Sequence, residues 1–205
     1  MQSTLKTFML ASAIALAVPS LAQARGLKHT LTQPVASPVK IEVVLSEDMQ
    51  HRANNLPKKL SDRGGPPLSR HNGFSSNGFY GDRALQGLVE SLEDKMTRRF
   101  TKKGITVTDD APVTIRVTIE DAKNNRPTLE QISTQPSLSF QSLAQGGASI
   151  HADIISQNGS SLGTMDYSYY ETNFFNKGGR FPGVWQDANR SFTYFANKAA
   201  KALAN

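Results

Sequence analysis

Gly159-Ser160-Ser161-Leu162-Gly163 carries the letters of the G-x-S-x-G nucleophile elbow. That motif needs a strand-to-helix turn that forces the serine outward. Here it lies in a segment whose Asn158-Gly159 pair reads as a hairpin turn between two strands. His151 and Asp166 flank the hairpin at positions that oppose each other across it, on the polar side, with Ser149 and Ser168 as neighbours. A His–carboxylate pair is half of a catalytic triad. It is also an ordinary cross-strand polar pair. The four histidines, His29, His51, His71 and His151, show no i, i+4 ligand spacing, and His51 and His71 share one long loop. No phosphate-binding loop, dinucleotide fingerprint or EF-hand pattern occurs. The chain has no cysteine, which excludes a disulfide-stapled fold, a thiolate metal site and a cysteine nucleophile. No cofactor or metal is expected.

Charge gives a second kind of chemistry. The 205 residues hold 23 Lys+Arg against 17 Asp+Glu. Such an excess suits an anionic surface, or serves solubility alone. Lys58, Lys59, Arg63 and Arg70 stand with Arg52 in a long loop, 46–81, followed by Phe74, Phe79 and Tyr80. Cations mixed with aromatics on a loop suit an anionic glycan or a lipid headgroup. The other reading is a solvated loop whose aromatics tuck onto the core. Arg126 and Gln131 lie in a second long connection, 123–147, which reads as a flap. Arg180 and Trp185 lie in a third, 171–185, among many aromatics. These eight residues, Lys58, Lys59, Arg63, Arg70, Arg126, Gln131, Arg180 and Trp185, are the candidate binding set.

The elements that must hold these residues follow from periodicity. Residues 1–24 read as an export signal: Lys6, an apolar run from Phe8 to Val18, and Ala22-Gln23-Ala24 as the cleavage site. The apolar run is shorter than the ~20 residues of a spanning helix. The expected location is the periplasm or the medium, after cleavage near Ala24, where nucleic acid is not an expected partner. Residues 25–38 read as an N-terminal tail, and 39–205 as one domain. Val39 to Leu45 alternates as a strand. Asp82 is the expected cap of a helix whose stripe is Leu85, Leu88, Val89, Leu92, Met96 and Phe100, closed by Gly104. Lys95, Arg98, Arg99, Lys102 and Lys103 crowd its last turns, where the helix dipole favours cations. Ile105–Val107 reads as a short lead strand. Strands around Val113–Glu120, Ala148–Ile155 and Leu162–Glu171 follow, with a capping-box helix at 129–134 between the first two. A final helix runs from about Trp185 to Leu203. A two-residue turn at Asn158-Gly159 pairs Ala152 with Met165, and a four-residue turn shifts the partners.

The expected architecture is an α+β two-layer sandwich: a mixed four-stranded sheet with two helices on one face, in the order β-α-β-β-β-α. The run RPTLEQISTQPSLSFQSLAQGGASI, with the Asn-Gly hairpin, the Tyr-rich strand and W-x-D-A-x-x-x-F at Trp185 to Phe192, resembles a group of uncharacterised exported bacterial proteins. More loosely, the order of elements is similar to that of envelope accessory lipoproteins, such as activators of penicillin-binding proteins and auxiliary subunits of ABC transporters. The chain departs from these in lacking a cysteine to lipidate. No function comes with that resemblance; the half-covered sheet, the basic balance, the long loops and the absence of a catalytic motif point instead to an exported, non-enzymatic envelope protein that binds an anionic envelope component or a partner protein. The competing reading is a periplasmic hydrolase that uses His151 with Asp166.

Overall fold

A computed structural model describes residues 26–31, 35, 37–64, 73–172 and 183–204. The expected export signal, Arg70, His71 and Arg180 lie outside these residues.

The elements in order are β1 (Lys28–His29), β2 (Val39–Leu45), α1 (Glu47–His51), α2 (Asp82–Lys102), β3 (Val113–Lys123), α3 (Leu129–Thr134), β4 (Gly147–Ser156), β5 (Ser161–Tyr170) and α4 (Gln186–Ala204), with a 3-10 turn at Leu60–Asp62. They form a mixed five-stranded sheet in the order β1-β5-β4-β3-β2. β2 and β3 run parallel, because α2 returns the chain between them. β3, β4 and β5 form an antiparallel meander, and β1 pairs antiparallel with β5.

The alternation of the strands decides the layers. Ile41, Ile115, Val117, Ile119, Ile150, Ala152, Ile154, Met165 and Tyr167 point to one face and are buried there. The core stripe of α2, Leu85, Leu88, Leu92, Met96 and Phe100, packs onto that face beside Ala188, Phe192, Phe195, Ala199 and Leu203 of α4. The α+β class and the helix-covered face are as the periodicity implies. The count of four strands and two helices is corrected, among the described residues, to five and four. The fifth strand, β1, lies in the expected tail and is two residues long, too short to show a period. It is held by its pairing of Lys28 with Asp166 and His29 with Met165. The lead strand at Ile105–Val107 is reduced to a bridge between Val39 and Val107.

Two local expectations also change. Asp82 does not cap α2; Gly81 is the cap, at φ 81°, with no side-chain bond to the free N–H groups. The hairpin turn is neither of the two lengths considered. Ser156 pairs with Ser160 and accepts from Gly159 N, so the loop has three residues with Gly159 at φ 84°. An extra residue at Leu162 then restores the register that pairs Ala152 with Met165.

Candidate functional site

Three connections converge where β2, β3 and β5 end. They are the segment after β2, the flap between β3 and β4, and the approach to α4. Gln131 ties the first two together. Thr128 and Gln131 form the capping box of α3. The Gln131 Oε1 also accepts from Asn124 Nδ2 at 2.6 Å, and its Nε2 donates to the carbonyls of Phe74 at 3.0 Å and Gly78 at 2.9 Å. Gly78 sits at φ 69°, and a Cβ there would lie 2.0 Å from the Asn55 carbonyl oxygen. Glycine is thus required by the closeness of the two backbones. Asn125 ties the flap to α4: its N–H donates to Val184 O at 2.7 Å, and its Oδ1 accepts from Asp187 N at 2.8 Å.

Two cavities open at this end, and Tyr80 stands between them. The first is polar, about 510 Å³, and lined by Arg52, Ser61, Asp62, Arg63, Ser76, Asp121 and Lys123. Arg52 is 5% exposed and donates to Asp121 at 2.9 Å while pairing with Asp48. Burial works against the Arg52 cation, but the neighbouring Asp121, Tyr80 and Asp48 outweigh it and raise its pKa. Tyr170 donates its hydroxyl proton to Asp121. Its own pKa is pushed up, first by burial and then by the Asp121 charge.

The second is an apolar groove of about 490 Å³ between the N-terminal turns of α2, α3 and α4. Its walls include Tyr80, Ala84, Gly87, Leu88, Leu129 and Trp185. Tyr80 and Trp185 meet edge to face, with ring centroids 5.3 Å apart. The groove lies on the seam where α2 and α4 run side by side. Further along the seam, Asn189 Oδ1 accepts from Lys95 Nζ at 2.9 Å, and Ser91 bonds both. Lys95, Arg98, Arg99 and Lys102, with Thr193, then line a shallow cationic depression of about 390 Å³. Among the described residues only Arg98 of these four has a carboxylate partner, Asp94 at 3.1 Å. The Lys95 pKa is lowered, first by burial and then by the charge of Arg98.

The sequence-derived candidates scatter. Lys58 and Lys59 are exposed, and Arg63 donates to Pro57 O at 2.9 Å beside the polar cavity. Arg126 is bonded to the Phe140 carbonyl. Gln131 is fully buried, and both lone-pair sites and both N–H bonds of its amide are used within the chain, so its expected ligand contact is corrected to a structural clasp. Trp185 lies in the apolar groove. Phe74 and Tyr80 are buried, as the tucked-in reading of that loop holds. Missed entirely was the α2–α4 seam. Its signal was a glycine inside a strong helix pattern, in line with cations at 95, 98, 99 and 102.

His151 and Asp166 do face each other, with Nδ1 2.7 Å from Asp166 Oδ1. Nε2, the nitrogen a triad would turn toward a nucleophile, lies 3.3 Å from Asp153 instead. The Asp166 bond, foremost, and Asp153 raise the His151 pKa against partial burial. The arrangement sets the imidazole between two carboxylates on an open sheet face, which favours its protonated form. Ser149 donates to Glu120, not to His151. Among the described residues no group of three His, Asp or Glu side chains is disposed to hold a metal ion.

The architecture is that of a two-layer α+β domain with long loops gathered at one end of the sheet. No protein family model and no curated protein matches the chain. Among solved structures it is similar to the PelC dodecamer from Paraburkholderia phytofirmans, at 8% identity and a TM-score of 0.45, over 87% of this chain and 96% of that one. It is also similar to protein XCC0632 from Xanthomonas campestris, of family DUF330, at 9% identity and a TM-score of 0.40, over 84% of this chain and 85% of that one. At those values the likenesses say nothing of what this chain binds.

Proposed function

We propose that this is an exported, non-enzymatic envelope protein that binds an anionic envelope component through the cationic half of the α2–α4 seam. The observation that carries this reading is the row Lys95, Arg98, Arg99 and Lys102, three of whose members have no carboxylate partner among the described residues. Cations at i, i+3, i+4 and i+7 share one helix face. Unneutralised there, they attract phosphate or carboxylate groups. The composition agrees, with its excess of basic residues. Among the described residues no helix is long and apolar enough to cross a membrane. Export with cleavage near Ala24 would place the protein in the periplasm or the medium, beside such components.

The test is co-sedimentation of the chain from Arg25 with vesicles of phosphatidylglycerol and phosphatidylcholine. A basic side chain near an anionic surface contributes about 1 kcal/mol at physiological ionic strength. Arg99→Ala with Lys102→Ala should then weaken binding by about 30-fold, and salt should weaken the wild type. Equal binding to phosphatidylcholine vesicles, or no effect of the two substitutions, would refute the reading. His151→Ala should leave vesicle binding unchanged.

A further inference from the structure

The apolar groove at the head of the seam has a feature that folding does not explain. Gly87 lies inside α2, five residues from its start, with ordinary helical backbone. Glycine there destabilises a helix by about 1 kcal/mol relative to alanine. A Cβ at Gly87 would meet nothing within 4 Å. No neighbouring atom demands its absence. What a side chain would do is fill the groove. Beside it, Leu129 is 73% exposed on the opposite wall, a large apolar surface left in water. A cavity of this size, its walls mostly apolar with Arg83, Thr128, Glu130 and Asn189 as the polar lining, fits a small ligand.

The ligand's character follows from what adjoins the groove. Ala84, Gly87, Leu88, Ser91, Lys95, Arg99 and Lys102 fall on one face of α2, the face toward α4. From Leu88 to Lys95 is seven residues of helix, about 10 Å. Along that line the lining changes from apolar, through the polar pair Ser91 and Asn189, to cationic. We infer that the groove holds the acyl chain of an anionic amphiphile, whose phosphate-bearing head lies on Lys95, Arg99 and Lys102. The head's position rests on the function proposed above; the chain's position rests on the groove alone.

Trp185 is the only tryptophan and lines the groove, so its emission reports occupancy. The probes are lauroyl lysophosphatidylglycerol below its micelle concentration, a neutral lauroyl glycoside, and glycerol phosphate. Both chain-bearing probes should shift the emission saturably, and glycerol phosphate should not. Gly87→Met, which places its side chain in the groove, should weaken both chain-bearing probes at least tenfold with the melting temperature preserved. Leu129→Gln, at an exposed position that folding does not need, should weaken them in the same direction. Arg99→Ala with Lys102→Ala should weaken the anionic probe about 10-fold or more and leave the neutral one unchanged. Unchanged titrations in Gly87→Met and Leu129→Gln, or a response to glycerol phosphate alone, overturn the chain site. A charge-blind response that still depends on Gly87 overturns the head's placement and, with failed vesicle binding, the function proposed above, while the chain site stands.

Discussion

Replacing Gln131 by leucine removes the clasp between the loop before α2 and the flap while keeping side-chain size. Four bonds are lost, but not four equal ones. Asn124 Nδ2 retains the Arg126 carbonyl at 2.7 Å, and the Phe74 carbonyl retains the Asn77 N–H at 3.0 Å. The Thr128 N–H and the Gly78 carbonyl lose the Gln131 amide with nothing to take its place. A buried polar group stripped of its partner costs about 1–3 kcal/mol. Two such groups give a loss of about 3 kcal/mol, after some return from the apolar leucine. For a chain of this size that is a fall in melting temperature of about 6–12 °C. Thermal unfolding followed by circular dichroism reads it directly. Gln131→Glu sharpens the test. Its second carboxylate oxygen would face the Phe74 and Gly78 carbonyls, so the folded state raises its pKa. The variant should be least stable at neutral pH and recover as pH falls toward 4, where protonation restores a donor. A fall of less than about 2 °C for Gln131→Leu, or no pH dependence for Gln131→Glu, would show that the clasp is not made.

Other expectations follow from single contacts. His151 has a raised folded pKa, so its bonds stabilise below the unfolded value of about 6.5 and are lost as pH rises through the folded one. His151→Gln should therefore cost about 0.5 kcal/mol at pH 5.5 and nearly nothing at pH 9, by urea denaturation; an equal cost at both would refute the charged pair. Gly147→Ala should lose at least about 2 kcal/mol, because the Cβ would lie 2.3 Å from the Tyr169 carbonyl oxygen at φ 157°. Tyr170→Phe should lose about 1 kcal/mol by removing a donor from Asp121, the residue that balances Arg52, and a neutral result in chemical denaturation would contradict that network.

Much of the fold was legible because its signals are local and strong. The stripe Leu85, Leu88, Leu92, Met96 and Phe100 repeats over about four turns, and it names the buried face of α2 directly. The capping box Thr128–Gln131 places α3 to the residue. β3, β4 and β5 alternate cleanly, so their facing follows without the register. β1 was illegible because two residues carry no period; its place depends on the free edge of β5. The Asp82 cap failed because Asp82 is taken by Asn54, whose Nδ2 donates to it at 3.1 Å, while Gly81 provides the turn into the helix. Neither competing partner is visible from spacing.

The site was less legible than the fold, and for a reason of principle. Cations in a long loop attract attention because nothing in the sequence binds them, whereas cations in the last turns of a helix have a ready account in the helix dipole. That account predicts charge near the C-terminus of α2 but not its azimuth. Lys95, Arg99 and Lys102 lie on the edge that borders α4, and the same edge carries Gly87 and Ala84 toward the other end. A dipole acts along the axis and cannot sort residues around it. The gradient from small and apolar to cationic along one edge therefore needs a second cause, one that acts from outside the helix along that edge. α4 supplies only Asn189 and Thr193 there, polar and uncharged, so it does not neutralise the row. A ligand with an apolar and an anionic end is the simplest object that would.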